Sequence, residues 1–171
     1  ASGAVTTKLT DMLAMVDGMV ASTRRIAADL RPLLLDDLGL MAAIEWLVHN
    51  FIQRTGVSCT LSADENLELQ EPYATAVFRI VQEALANVAK HAGATEVAVT
   101  IDMFPGVISL TVNDNGRGFA ADQPRKPQSL GLMGLQERAL LLKGTVDIYS
   151  APGQGTRVEV SIPLSEGAQL P

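Results

Sequence analysis

The chain has 171 residues, 47% of them apolar and 19% charged, enough for one compact domain with an appendage and a sizeable core. A net charge of −6 excludes general nucleic-acid binding, which needs a basic face, but not ATP, whose phosphates a few aimed groups can hold. No apolar run approaches the roughly 20 residues of a membrane span, and no signal-peptide pattern opens the chain.

The opening Ala-Ser-Gly lacks an initiator methionine, so the sequence reads as a piece of a longer protein. Residues 6–30 predict one long helix: Leu9, Leu13, Val16, Val20, Thr23, Ala27 and Leu30 recur at alternating steps of four and three, a heptad seam. Met12, Met19 and Ile26 widen the stripe. A helix this apolar on one side needs partner helices, so dimerisation or a neighbouring helix is expected, with docking on its own domain as the alternative. Pro32 stops it. Asp36 or Asp37 can cap a second helix over about 38–54, whose apolar face is Leu40, Ile44, Leu47 and Phe51 and whose stop is Gly56. His49 falls opposite that face and is expected at the surface. A strand at about 57–62 carries the only cysteine, Cys59, which has no internal disulfide partner and is expected to be a buried, inert thiol; a reducing compartment fits.

Pro72 suits the first position of a third helix running to about 91 and ended by Gly93. Alternating segments at about 96–103 and 107–113, joined by Phe104-Pro105-Gly106, predict a hairpin. Residues 114–130 lack periodicity and read as a loop long enough to act as a mobile lid. A helix over about 131–143 ends at Gly144, and strands at about 145–150 and 155–162 flank the turn Ala151-Pro152-Gly153-Gln154. The fold class expected is α+β: a two-layer α/β sandwich, its mixed sheet covered by helices on one face, preceded by a long dimerisation-type helix.

Three segments carry candidate chemistry. On the third helix Arg79, Glu83, Asn87 and Lys90 form a polar stripe beside the apolar face of Val77, Ile80, Val81, Ala84, Leu85 and Val88. The amide oxygen of Asn87 can ligate Mg²⁺, a cation that prefers oxygen; Lys90 can meet phosphate, and Glu83 can orient a water or act as a base. Taken alone, the stripe reads as a solvated helix face with ordinary charge pairs. Next, Asn113-Asp114-Asn115-Gly116-Arg117-Gly118-Phe119 follows a strand directly. Gly116 and Gly118 allow close backbone approach to a ligand, and Asp114 can accept a hydrogen bond from an exocyclic amine such as that of adenine, though a plain turn would use the same residues. Last, Gly131-Leu132-Met133-Gly134 opens a helix, where exposed N–H groups can bind phosphate; no Gly-Lys-Ser/Thr follows, so it is not a Walker motif. Gly153-Gln154-Gly155-Thr156 by itself is an ordinary hairpin turn.

As a set, in this order on one α/β pattern, these segments resemble the ATP-binding domain of the superfamily of gyrase, heat-shock chaperone, histidine kinase and mismatch-repair ATPases, over about residues 57–163. Gln82 to Ala94 resembles that family's N box, Asp114 to Phe119 its first glycine box and Gly131 to Gly134 its second. The resemblance implies that Asn87 binds Mg²⁺ and that Asp114, supported by Thr156, reads adenine. It further implies that Lys90, His91 and the backbone of Gly131, Leu132 and Gly134 approach the phosphates.

Residues 30–40, Leu-Arg-Pro-Leu-Leu-Leu-Asp-Asp-Leu-Gly-Leu, are similar to the segment joining the dimerisation helices to the ATPase domain in nitrate-sensor-type histidine kinases of two-component systems. The resemblance divides the chain into residues 1–34 (second helix of a dimerisation hairpin, and linker), 35–164 (catalytic domain) and 165–171 (tail). Two such hairpins would form a four-helix bundle, so a homodimer is implied for the parent protein. Also implied are autophosphorylation of a histidine, with Glu83 orienting the site, and transfer to a response regulator. A cytoplasmic setting is expected, with a parent that could be membrane-anchored, and neither nucleic acid nor membrane as a partner of this piece. The family's phospho-accepting histidine lies on the first dimerisation helix with an acidic residue after it; neither His49 nor His91 matches. An ATP hydrolase, with Glu83 activating water, and a protein-serine kinase on the same fold stand as alternatives, beside a pure dimerising module.

Overall fold

The computed structural model describes residues 7–19, 33–64, 67–120 and 128–166. The chain divides into two compact units, Ala1–Leu33 and Leu34–Pro171. In the first, residues 7–19 form helix α1, on which Leu9, Leu13 and Val16 of the heptad seam are exposed together with Met12, Met15 and Met19. The expected continuation of the seam through Val20, Thr23, Ile26, Ala27 and Leu30, and the stop at Pro32, fall outside the described residues, as does most of the expected tail.

The second unit holds helix α2 (Leu33–Thr55), β1 (Ser58–Ala63), helix α3 (Tyr73–Asn87) continued by a π-helical turn (Val88–Ala92), β2 (Glu96–Phe104), β3 (Val107–Asp114), helix α4 (Gln128–Leu141), β4 (Thr145–Ser150) and β5 (Thr156–Pro163). Helix α2 starts five residues before the expected position. Gly39, with φ 80° and ψ 172°, breaks it into a short N-terminal turn and the main helix, so the aspartates that read as a cap lie inside that turn. Helix α4 also starts early, three residues before Gly131.

The sheet order is β1-β2-β3-β5-β4; β1 and β2 are parallel and every other pair antiparallel. Alternation sends every second residue to the helix side. Register then builds cross-strand rows there: Val99 beside Val112 and Val158, Ile101 beside Leu110 and Val160, Met103 beside Ile108 and Ile162. Against them pack Leu40, Ile44, Leu47 and Phe51 of α2, Val77, Phe78, Val81 and Leu85 of α3, and Leu135 and Ala139 of α4. The opposite face carries half-exposed or exposed residues such as Thr100, Thr111 and Asn113, which accounts for a two-layer arrangement with helices on one side only. His49 is exposed, as its place opposite the apolar face of α2 requires. Cys59 is half-buried, not fully buried, because β1 is an edge strand; burial still pushes its thiol up to about 11, so it stays protonated at neutral pH.

Candidate functional site

One end of the core is polar. The next row of the helix-facing side after Val99, Val112 and Val158 is Val97, Asp114, Thr156 and Ser150, contributed in register by β2, β3, β5 and β4. Parity places Asp114 and Thr156 inward, where apolar residues would otherwise continue. They head an open cleft, floored by Val112 and Val158 and walled by Ala84, Asn87, Val88, His91 and Ala92 of α3 and its π turn. Gly118, Phe119, Leu132 and Leu135 complete the lining. An apolar cleft with a carboxylate at its head fits a purine ring whose edge offers an amine.

Asp114 is buried, and its Oδ1 accepts a hydrogen bond from the N–H of Gly116 at 2.8 Å; the N–H of Thr156 also donates to it. Burial raises its carboxyl above the ordinary value, and these two backbone donors offset part of that rise. Beside it Ser150 joins three segments. Its Oγ accepts from the Phe119 N–H at 2.9 Å, donates to the Gly155 carbonyl at 3.1 Å, and lies 2.9 Å from the Thr156 hydroxyl. Nothing in the local sequence around Ser150 marks it. The signal was its inward parity after Val146 and Ile148 on β4.

Three glycines set how closely the loops pack. A β-carbon on Gly116 would strike the carbonyl of Ala92 at the end of the π turn. On Gly118, at φ 58°, it would overlap the Ala151 carbonyl oxygen. On Gly155, at φ 74°, it would overlap the carbonyl oxygen of Asp114 itself. The Gly153–Thr156 turn, an ordinary hairpin when read by itself, is therefore part of the site's frame.

Asn115, a spacer in the motif, ties the exit of β3 to the entry of β2. Its Oδ1 accepts from the N–H groups of Thr95 and Glu96 at 2.9 and 3.0 Å, and its Nδ2 donates to Thr95 Oγ1 at 2.9 Å. Asn115→Ala is expected to lower stability by about 1–2 kcal/mol in urea titrations, a partial loss for three exposed hydrogen bonds, with a smaller effect on nucleotide affinity than substitution of Asp114.

The cleft thus brings together Asn87, His91, Asp114, Gly118, Leu132 and Thr156 of the residues singled out from sequence. Gly116 packs behind it. Gly131 lies on Asn87: a β-carbon there would overlap the Asn87 amide oxygen. Helix α4 starts three residues before its glycines, so Gly131 and Gly134 sit inside the helix instead of opening it. Glu83, half-buried one turn before Asn87, and Lys90, exposed on the π turn, do not line the cleft.

Asn87 is the candidate metal ligand. Its Nδ2 is a buried donor without a hydrogen-bond partner and cannot itself ligate a cation; a ligand role falls to its Oδ1, which lies beside the bare Cα of Gly131. No group of three or more His, Cys, Asp or Glu side chains forms a metal cage among the described residues. A single amide oxygen fits Mg²⁺ of the kind that takes its remaining ligands from substrate phosphates and water.

Comparison with known proteins agrees with this geometry. Residues 73–166 match the family described as histidine kinase-, DNA gyrase B- and HSP90-like ATPases. The signal transduction histidine-protein kinase/phosphatase DegS of Brevibacillus brevis is 38% identical over 160 residues, covering 92% of this chain and 41% of that protein. The sensor histidine kinase MctS of Rhizobium johnstonii is 39% identical over 153 residues, covering 88% and 33%. The chain therefore spans less than half the length of these curated relatives. Among solved structures, the blue-light activated histidine kinase of Erythrobacter litoralis superposes with a TM-score of 0.64 at 22% identity over 77% of this chain and 43% of that one. The histidine kinase AdeS of Acinetobacter baumannii superposes at 0.62 and 15% identity, over 93% and 83%. These two likenesses establish the fold. No described helix is long and apolar enough to cross a membrane.

Proposed function

Because the chain belongs to the family of histidine kinase-, DNA gyrase B- and HSP90-like ATPases, we propose that it binds Mg-ATP as the catalytic domain of a sensor histidine kinase. The observation that carries the reading is the inward row of Asp114, Thr156 and Ser150 at the head of an apolar cleft whose far wall bears Asn87 and His91. Asp114 accepts a hydrogen bond from the adenine amine, with Thr156 beside it. Val112, Val158 and Leu135 sandwich the ring. His91 faces the phosphates, with Lys90 on the same turn outside the cleft lining; Leu132 borders them from α4, packed close at Gly131 and followed by Gly134 within the helix. Glu83 orients the neighbouring helix face. Asn87 would hold Mg²⁺, which when bound neutralises charge on the phosphate chain.

In phosphoryl transfer a protein contributes mainly positioning and charge stabilisation, and these residues supply both. The nucleophile is a histidine other than His49, which is exposed on α2, and His91, which belongs to the cleft itself. The phosphoryl group then passes to an aspartate of a response regulator, and the exposed heptad face of α1 serves the parent's homodimer. The hydrolase alternative is less favoured, because Glu83 does not line the cleft where an attacking water would need activation.

The test is displacement of a fluorescent ATP analogue by ATP with and without Mg²⁺, alongside incubation with γ-³²P-ATP. Saturable binding that Mg²⁺ tightens, loss of the Mg²⁺ effect in Asn87→Ala, and no label on either histidine are expected. Absence of binding by the wild-type chain, or label on His49 or His91, overturns the reading.

A further inference from the structure

Arg117 is the second variable position of the Asp-x-Gly-x-Gly turn, an exposed side chain to which the sequence assigned no role. In the fold it is the joint of three ligand-facing segments. Its backbone N–H donates to the Ala92 carbonyl at 2.8 Å, its carbonyl accepts from the Gly153 N–H at 2.6 Å, and its side-chain Nε donates to the His91 carbonyl at 2.6 Å. One residue thus supplies donors to the last two carbonyls of the π turn, which a helix end leaves without intrahelical partners.

That turn matters because it carries Lys90 and His91. A π turn is an irregular, functionally enriched helix end with little intrinsic stability. Gly93, left-handed at φ 59°, closes it, and the bare Cα of Gly116 lets the Asp114 loop approach close enough for Arg117 to reach. His91 lines the cleft on the wall that also bears Asn87, beside the floor below Asp114, so the orientation of its imidazole depends on where its own carbonyl is held.

We infer that Arg117 is a positioning residue for the phosphate end of the site, acting through its Nε hydrogen bond to the His91 carbonyl and not through its charge. The inference rests on the nucleotide-binding reading above and adds to it a residue that couples the adenine-reading loop to the phosphate-facing turn. Side-chain length separates the two modes of action. Glutamine places its Nε2 donor at the same distance along the side chain as arginine Nε, without the charge; lysine keeps the charge but has a methylene at that position.

Calorimetric titration of Mg-ATP and of adenosine into the wild-type chain, Arg117→Ala, Arg117→Gln and Arg117→Lys tests it. Binding of Mg-ATP by the wild type is the check on the functional reading; if it fails, both fall. Given that binding, Arg117→Ala is expected to weaken Mg-ATP about tenfold, the effect of one lost hydrogen bond, while adenosine changes by less than about twofold. Arg117→Gln restores most of the Mg-ATP affinity and Arg117→Lys does not. Equal losses for ATP and adenosine would show a general structural role, full affinity in Arg117→Lys with loss in Arg117→Gln would show direct charge contact, and no loss in Arg117→Ala would show no role; each overturns the inference.

Discussion

Asp114→Ala is expected to weaken Mg-ATP binding by about 1–3 kcal/mol, roughly five- to 150-fold in Kd, because the ligand's amine would be buried against the cleft head without an acceptor. A calorimetric titration of both chains measures it, and equal affinities would remove adenine recognition from this residue. The same carboxylate gives a pH signature. Its folded-state value is raised by burial, so the protein holds that proton to higher pH than the unfolded chain does. The ionised form accepts the amine's hydrogen bond more strongly than the protonated one, which has less acceptor capacity left beside its backbone donors. Affinity is therefore expected to fall as pH drops, starting above the ordinary carboxylate range. The contribution of Asp114 to stability runs the other way. Ionisation of a buried acid costs the folded state, and that cost is absent below the unfolded value, grows as pH rises between the two values, and is complete above the folded one. Opposite slopes for binding and for this residue's share of stability, read by titration and by melting of wild type against Asp114→Ala across pH, are the expected pair.

Much of the fold was readable because local signals and tertiary demand agree. Each strand of the hairpin and of the closing pair alternates, so β2, β3, β4 and β5 fall within a residue or two of their expected ends. The helix α3 face of Val77, Ile80, Val81, Ala84, Leu85 and Val88 is the buried one. The site was legible as an ordered set of motifs, and six of its residues meet in one cleft. What escaped depends on contacts distant in sequence. Ser150 becomes a hub only when β4 registers against β5 beside Phe119. Gly131 lies on Asn87, 44 positions earlier in the chain, from within α4, and a glycine pattern near a helix start reads the same whether the helix begins there or before it. The turn before Gly39 was missed because Leu33-Leu34-Leu35-Asp36-Asp37-Leu38 has no stop signal until the glycine, and aspartates serve equally as a cap or in a first turn. Lys90 was placed beside Asn87 by ideal helical spacing, but it lies on the π turn, where that spacing no longer holds, and stays outside the cleft lining.

Gly155→Ala and Gly153→Ala should differ sharply although they lie two residues apart with nearly the same backbone. Both are left-handed, at φ 74° and 76°, so each alanine carries a conformational cost of about 1–2 kcal/mol. At Gly153 that is the whole cost, since a β-carbon there meets nothing within 4 Å. At Gly155 the β-carbon overlaps the Asp114 carbonyl oxygen and comes within 2.9 Å of its carbon and 3.1 Å of Asn115 Cα. Those are backbone atoms in a paired strand end, so relief requires β5 to draw away from β3, adding about 1–3 kcal/mol of overpacking. The expected losses in urea titrations are about 1–2 kcal/mol for Gly153→Ala and about 2–5 kcal/mol for Gly155→Ala. Nucleotide binding should separate them further. The strand ends that must part at Gly155 are those that set Asp114 beside Thr156, whereas Gly153 holds its N–H bond to the Arg117 carbonyl through an alanine as well as through a glycine. Gly153→Ala is therefore expected to keep Mg-ATP affinity, and Gly155→Ala to lose it at temperatures where the variant is still folded. Equal affinity in the two would mean that the spacing of β3 and β5 is not what places the adenine acceptor, and the cleft head would have to be assigned to other groups.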